Sequence, residues 1–156
     1  MLKLVKPELQ ELAFRQKMLS DEQNMSYNAR WGGAIGFPEE RWENWYRRWI
    51  SSEDPRYYYR YLYSGKLHAY VGEAAYHFEP ETARYVCDVI IYHPYRRRGY
   101  GARGLALLCD AAREHGIEML YDDIATDNPS IEMFLKAGFS EVGRTEFICT
   151  VRKCLK

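Results

Sequence analysis

The sequence lacks a long apolar run. No stretch approaches the roughly 18 apolar residues that a membrane-spanning helix needs, and residues 1–10 contain no apolar segment typical of a secretory signal peptide. From these two absences we expect a protein that does not contact a membrane and that is cytoplasmic. The chain has 156 residues, which fits one domain over residues 1–156 with enough length for a buried core.

The sequence also lacks an excess of charge of either sign, because 22 Lys and Arg balance 22 Asp and Glu. Nucleic-acid-binding domains usually carry a basic face, so such a function is disfavoured, although the arginine cluster at residues 96–98 keeps it as a third hypothesis. Cysteine is scarce, and none of the four has Cys-x-x-Cys or Cys/His ligand spacing: Cys87, Cys109, Cys149 and Cys154. We therefore expect no metal site and interpret the cysteines as buried, reduced thiols.

Hydrophobic periodicity and turn residues predict the element order α, α, β, β, β, α, β, α, β, β. Helices are predicted over residues 7–19, from 38 to about 49, over 103–115 and over 129–137. Strands are predicted over residues 56–63, 67–78, 84–92 and 119–125, with a final pair within 140–155, and residues 21–36 are predicted to form a loop. This order is typical of an α/β (α+β) fold with a mixed sheet and helices on its faces.

The most informative segment is His93-Pro94-Tyr95-Arg96-Arg97-Arg98-Gly99-Tyr100-Gly101-Ala102, which lies between a predicted strand and a predicted helix. A glycine loop in this position turns backbone N–H groups toward one point, and the helix start adds positive partial charge. We therefore expect an anionic cofactor here. Gly99, Gly101 and Gly104 also read G-x-G-x-x-G, but no βαβ repeat surrounds them, so a dinucleotide-binding fold is a weak alternative.

Two motifs occur in order: Arg96-x-x-Gly99-x-Gly101 and, after Asn128-Pro129-Ser130, the run Phe134-Leu135-Lys136-Ala137-Gly138-Phe139. Over about residues 85–139 the chain resembles the GNAT superfamily of acyl-CoA-dependent N-acetyltransferases. Their acyl-CoA loop reads [Arg/Gln]-x-x-Gly-x-[Gly/Ala], and a later helix commonly ends in Tyr-Glu-Lys-x-Gly-Phe. The resemblance implies acetyl-CoA as co-substrate and a GNAT-like, mostly antiparallel sheet in which the parallel strands on either side of the glycine-loop helix splay apart.

The resemblance also implies which residues contact the co-substrate. The N–H groups of Arg98, Gly99, Gly101 and Ala102 are expected to bind the pyrophosphate, with Arg96 and Arg97 in support, and an oxyanion donor is expected near Ile91 or Tyr92. The full predicted set is Ile91, Tyr92, Arg96, Arg97, Arg98, Gly99, Tyr100, Gly101, Ala102, Asn128, Ser130 and Phe134.

Phe134 departs from the family pattern, which commonly has Tyr there to protonate the departing thiolate. Phenylalanine keeps the ring but has no proton to give. A thiol with an ordinary pKa near ~8.5 is a fair leaving group, so we expect a working enzyme. It would use water or another hydroxyl, with Tyr121 and Ser130 nearest in sequence, or need no acid.

Acidic residues in two strands are candidates for taking the proton of the attacking amine. Asp88 is the first choice and Glu73 the fallback, because a hairpin centred on Glu81 places Asp88 opposite Ala74 and Glu73 one step away. A compensated structural carboxylate is an equal alternative for Asp88 and the favoured one for Glu73. Asp122 and Asp123 alternate faces on the next strand, so one of them can reach the cleft to bind substrate, although a solvent-facing strand end is the simpler interpretation.

The acceptor is expected to contact Tyr27 and Trp31 in the loop. The aromatic stripe Trp42, Trp45, Tyr46 and Trp49 is interpreted first as core and second as a wall of that site. His68, His77 and His115 are interpreted as surface residues. The sequence thus predicts an N-acetyltransferase that acts on a primary amine, with a small cationic acceptor, and it permits a homodimer. The alternative is a non-catalytic acyl-CoA-binding or sensing domain, which the phenylalanine at position 134 favours.

Overall fold

A computed structural model describes residues 1–156. Seven strands form one sheet in the order β1-β2-β3-β4-β5-β7-β6. The strands are β1 (Leu2–Val5), β2 (Tyr57–Ser64), β3 (Ala69–Glu79), β4 (Arg84–Ile91), β5 (Met119–Ala125), β6 (Ser140–Arg144) and β7 (Ile148–Cys154). The helices are α1 (Leu12–Ser20), α2 (Trp42–Tyr46), which continues as a π-helical turn over Arg47–Ser51, α3 (Tyr100–Glu114) and α4 (Ser130–Lys136).

One strand pair breaks the antiparallel pattern of the sheet. The pair β4 and β5 is parallel, and every other neighbouring pair is antiparallel. The parallel ladder holds only Tyr85 opposite Leu120 and Val86 opposite Tyr121. Beyond these two pairs the strands separate, which leaves a gap in the middle of the sheet. The predicted fold class, a mostly antiparallel mixed sheet with a splayed parallel pair, is confirmed.

Helices cover both faces of the sheet. On one face, α3 packs on β1, β3 and β4, and α4 packs on α3, β6 and β7. The largest apolar cluster lies there and includes Leu62, Leu105, Leu108 and Leu120. A Cβ at Gly104 would stand 2.7 Å from Cδ1 of Leu62, so this glycine lets α3 lie close to β2. The third glycine of G-x-G-x-x-G therefore serves helix packing.

The opposite face carries α1 and α2. Two smaller apolar clusters join these helices to the sheet, one around Leu12, Met18 and Trp42 and one around Tyr59 and Tyr61. Tyr61 donates its hydroxyl to the Glu11 carbonyl at 2.6 Å and accepts from the Arg15 amide at 3.1 Å. The start of α1 is therefore tied directly to β2.

The predicted elements differ from the observed ones at several points. The sequence does not predict strand β1, because four residues give too short a pattern and its pairing with β2 decides its conformation. The predicted loop over 21–36 contains a 3-10 helix over Ser26–Trp31. Helix α3 begins at Tyr100, three residues before the predicted start, because Gly99 takes a left-handed conformation (φ 81°) that begins the helix there. No helix is long and apolar enough to span a bilayer.

Candidate active site

Two concavities, the loop groove and the α1 cavity, lie on opposite faces of the sheet. The loop groove has a volume of about 780 Å³ and runs between α3 and α4 beside the glycine loop. The α1 cavity is smaller, about 230 Å³, and lies on the side of α1 and α2, with β3 and β4 as its floor. The gap between β4 and β5 lies in the sheet that separates them.

The glycine loop presents a run of unused donors to the start of α3. The backbone N–H groups of residues 97–102 donate to no protein acceptor, and regular pairing resumes with Arg103, which donates to the Gly99 carbonyl. Left-handed conformations at Arg97 (φ 64°) and Gly99 (φ 81°) shape the turn. Unpaired amides at a helix N-terminus are the standard setting for a phosphate, so the predicted donors of Arg98, Gly99, Gly101 and Ala102 are free to bind one.

The three loop arginines have different surroundings. The Arg96 guanidinium donates to the Ile91 carbonyl at 2.9 Å and to the Asn24 carbonyl at 2.8 Å, and it lies 5.6 Å from the Tyr27 ring centre. The predicted support of phosphate by Arg96 thus competes with a structural role, since Arg96 donates to Asn24 and so joins the glycine loop to the turn that precedes the 3-10 helix. Arg97 lines the loop groove, and Arg98 lies over the Tyr95 ring.

The walls of the loop groove fit a large anionic ligand. Ala102 and Ala106 give α3 a smooth floor there, and Arg97, Lys136 and Lys153 contribute cationic side chains. Lys136 is also paired with Glu132 at 3.5 Å, and Lys153 donates to the Ala137 carbonyl at 2.7 Å. The groove therefore combines free amides and an excess of positive charge, which suits a nucleotide carrying a pyrophosphate.

Four other predicted co-substrate residues have structural contacts of their own. Asn128 Oδ1 accepts from the Ser130 amide at 2.9 Å, so this pair stabilises the turn that leads into α4. The Tyr100 side chain is buried, with its hydroxyl 3.1 Å from Ser64 Oγ. Phe134 is only 3 % exposed and packs edge-to-face on Phe139 at 5.0 Å. Its neighbour Met133 lines the groove instead.

The β4 backbone distinguishes the two predicted oxyanion donors. The Tyr92 amide donates to the Val71 carbonyl at 2.8 Å, so it is not free to bind an oxyanion. In an antiparallel ladder alternate residues pair with the neighbouring strand, and Val89 and Ile91 therefore direct their amides to the other side, toward the gap. Of the two candidates, Ile91 alone has a donor facing the gap.

Asp88 lies at the edge of the gap and lines the α1 cavity. It pairs with Ala75 and not with Ala74, because the hairpin is centred one half-step later than expected. No side chain donates to its carboxylate, which is accessible from the cavity. The surrounding protein nevertheless displaces water from the Asp88 carboxylate. This desolvation, and then the nearby Glu73 charge, raise the pKa of Asp88 to about 6, whereas the Arg15 charge acts to lower it. Such a carboxylate is suited to accept a proton near neutral pH.

Glu73 forms a buried ion pair. Nη1 of Arg15 donates to both Glu73 carboxylate oxygens at 2.8 and 2.9 Å, and the Tyr59 hydroxyl donates to Oε1 at 3.0 Å. Burial is the largest single effect on the Arg15 cation and disfavours it, but the charges and hydrogen bonds of Glu73 and Tyr59 together exceed it and raise the pKa of Arg15. The Arg15 guanidinium also lies 4.5 Å from the Trp45 ring centre. These contacts give Glu73 the structural role that the sequence favoured.

The three β5 candidates do not line the α1 cavity. Asp123 accepts hydrogen bonds from Arg84 and from Thr150. Burial alone would raise the pKa of Asp123, but these two partners together lower it by more. The same Arg84 lies over the Tyr121 ring at 5.3 Å, in the paired part of the ladder. Asp122 lies just past the last pair, where burial and then the Asp88 charge raise its pKa. Asp122 is therefore the β5 acid at the gap.

The α1 cavity has mainly aromatic walls. Trp45 and Trp49 stack at 5.8 Å, and Tyr27 also lines the cavity, so the aromatic stripe supplies both core (Trp42) and wall. Trp31, by contrast, is 50 % exposed and does not line the cavity, because the 3-10 helix turns it outward. Its predicted contact with the acceptor has no support in this geometry.

Several residues of this cavity were not predicted to belong to a site, among them Arg15, Tyr59 and His77. The surface position predicted for His77 is wrong, since this residue lies 5.5 Å from Trp49 and burial lowers its pKa. Strand alternation was the available signal, because Glu73, Ala75 and His77 share one face of β3. For Arg15, the signal was a charged residue on the apolar side of α1.

This arrangement of a splayed parallel strand pair, an amide-rich loop and a cationic groove defines an acyl-CoA-dependent transferase fold. The chain belongs to the acetyltransferase (GNAT) family, whose model matches residues 16–139. The resemblance drawn from the glycine loop is thereby confirmed, and with it the enzyme class and the use of acetyl-CoA. No group of three or more His, Cys, Asp or Glu is arranged to hold a metal ion.

Solved structures share the fold across nearly the whole chain. Spermidine N-acetyltransferase from Vibrio cholerae, in complex with CoA and spermine, matches with a TM-score of 0.80 at 16% identity, covering 99% of this chain and 95% of that one. A putative acetyltransferase from Salmonella typhimurium with acetyl-CoA gives 0.74 at 17%, covering 99% and 94%. Ribosomal-protein-alanine N-acetyltransferase from Brucella melitensis gives 0.73 at 20%, covering 99% of both. Among curated proteins, none matches the chain by sequence.

Proposed function

We propose that this protein transfers the acetyl group of acetyl-CoA to a primary amine of a small acceptor, with Asp88 as general base. The observation that carries the proposal is the position of Asp88: a carboxylate that no side chain neutralises, at the gap, lining a cavity on the face opposite the loop groove. CoA in the loop groove would extend its thioester into the gap, and the amine would approach from the α1 cavity.

In the proposed reaction the amine nitrogen attacks the thioester carbonyl. A C–N bond forms, the C–S bond breaks, and the products are an acetamide and the CoA thiol. The Ile91 amide, which faces the gap, would donate to the developing oxyanion. Asp88 would take the proton of the amine, directly or through water, and that proton balances the one that the departing thiolate finally gains from solvent.

Asp88→Asn tests the role of the base. We expect kcat to fall by about 100-fold or more, because a positioned base contributes roughly 10²–10⁴-fold, while acetyl-CoA affinity stays the same. In the wild type, kcat/KM should rise with pH through about 6 as Asp88 loses its proton, and this limb should vanish in the variant. The measurement is thiol release from acetyl-CoA with a panel of primary amines, with affinity taken from calorimetry.

Glu73→Gln is the matched control, because it neutralises the other cavity carboxylate. It should lower stability by disrupting the ion pair with Arg15, and it should keep the limb but move it below pH 6, because the Glu73 charge that helps to raise the pKa of Asp88 is lost. If Glu73→Gln removes the limb and Asp88→Asn keeps it, Glu73 is the base. If no amine releases thiol from acetyl-CoA although CoA binds, the protein is instead a non-catalytic acyl-CoA-binding domain.

A further inference from the structure

The charged side chains of the α1 cavity can compensate one cationic group of a ligand. Four titratable side chains other than the tyrosines and the buried Cys87 thiol line it: Arg15, Glu73, His77 and Asp88. Arg15 and Glu73 neutralise each other through two hydrogen bonds. Burial disfavours the charged form of His77. Asp88 therefore remains the single uncompensated charge, and it is the group assigned to the reacting amine.

The rest of the cavity is apolar. Eleven of its sixteen lining residues are hydrophobic, and Ala75, Val86 and Ile90 form part of the sheet floor. Trp45 and Trp49 stack with 19° between their planes, and Trp49 meets Tyr59 edge-on at 6.4 Å. Flat rings in such an arrangement favour an aromatic or compact aliphatic group of the ligand.

The size of the cavity also favours a compact ligand. At about 230 Å³ it lies below the roughly 300–1,000 Å³ of ordinary ligand sites. A polyamine would have to place a second ammonium group among these walls, where no free carboxylate would compensate its loss of hydration. A peptide N-terminus would bring backbone N–H and C=O groups that the apolar walls do not satisfy.

Resting on the proposed function, we infer that the acceptor is a primary monoamine whose remaining part is one compact apolar group, such as an aromatic ring on a short alkyl chain. The amine would lie at Asp88 and the apolar group against Trp45 and Trp49. This inference narrows the small cationic acceptor expected from the sequence to a molecule with a single positive charge.

The test compares 2-phenylethylamine, ethylamine, spermidine and an alanyl dipeptide as acceptors of the wild-type protein. We expect kcat/KM for 2-phenylethylamine to exceed that for each of the others by at least tenfold. Trp49→Leu should remove most of this preference, because it should raise KM for 2-phenylethylamine more than KM for ethylamine. Phe147→Leu is the matched control, because Phe147 is exposed and lies outside the cavity, and it should change neither value.

The outcomes separate this inference from the proposed function. A preference for spermidine or for the dipeptide overturns the inference and leaves the acetyl transfer intact. If no amine is acetylated, calorimetry of the CoA-loaded protein decides: binding of 2-phenylethylamine but not spermidine upholds the inference and refutes the proposed function. Absence of such binding refutes both. If Trp49→Leu fails to fold, as shown by circular dichroism, the wild-type acceptor panel alone decides between the acceptor classes.

Discussion

A single atom distinguishes Phe134 from the tyrosine that family members commonly carry at this position. The sequence suggested a missing proton donor, but the structure places the ring in the largest apolar cluster, 3 % exposed and against Phe139. A hydroxyl added there would enter an apolar environment, and leaving a buried donor unpaired costs about 1–3 kcal/mol. The position therefore affects stability as well as chemistry.

We expect Phe134→Tyr to lower the melting temperature by several degrees, since about 1 kcal/mol corresponds to roughly 2–4 °C in a chain of this size. We expect no gain in the rate of acetyl transfer in a single turnover. Phe147→Tyr, at an exposed aromatic position, is the control and should melt with the wild type. A stable and faster Phe134→Tyr would show that a hydroxyl at this position reaches the thiolate.

At the scale of elements, the junction of β4, the glycine loop and α3 forms the proposed phosphate site. Gly101 looks like the natural position to block it. However, a Cβ there would stand 2.9 Å from Sδ of Met133 on α4, so any substitution at Gly101 also disturbs the packing of two helices. Ala102 lines the groove, is exposed and already carries a Cβ, which makes it the cleaner position to test.

Ala102→Glu should weaken binding of CoA by at least tenfold, because it places a carboxylate beside the free amides where the pyrophosphate is expected. Ala102→Gln has nearly the same size without the charge and should retain most of the affinity. Calorimetry with CoA measures both, and unchanged melting temperatures exclude a folding defect. If Ala102→Glu and the wild type bind CoA with equal affinity, the pyrophosphate does not bind at this end of α3.

At the scale of the whole molecule, the balanced charge argues against a nucleic-acid partner. Within the arginine cluster, Arg96 is bonded to Ile91 and Asn24, and Arg97 lines the loop groove. No continuous basic face is therefore formed by these residues. The predicted homodimer is not tested by this single chain and stays a prediction.

We expect no shift of a DNA or RNA duplex in a gel titration at about 200 mM salt and at most weak binding at about 50 mM. Phosphate contacts by several cations would make affinity fall steeply between these salt concentrations. A tight complex with that salt dependence would contradict the expectation. The control is the same titration in the presence of CoA, because a ligand in the loop groove would compete only if Arg97 and its neighbours held the duplex.

Local signals in the sequence determined much of this protein. The motif Arg96-x-x-Gly99-x-Gly101 and the later run over residues 134–139 identified the family. The order of strand, glycine loop and helix predicted the loop amides, because that geometry depends on neighbouring residues and on glycine at position 99. The apolar run over residues 86–92 placed Asp88, the only acid within it, on a central strand. What the sequence did not determine depends on distant pairing: the half-step shift that sets Asp88 opposite Ala75, the Val71 carbonyl that engages the Tyr92 amide, and the ion pair between Arg15 and Glu73.

The α1 cavity, the proposed acceptor site, shows most clearly which features the sequence determined and which the tertiary structure decided. Its walls come from α1, the segment after it, α2, β2, β3 and β4, and no spacing along the chain links these elements. Only their packing brought His77 beside Trp49 and left Asp88 as the one uncompensated charge of the cavity. Sequence patterns report contacts between neighbours in the chain, whereas the chemistry of this cavity is set by side chains up to 75 positions apart, from Arg15 to Ile90.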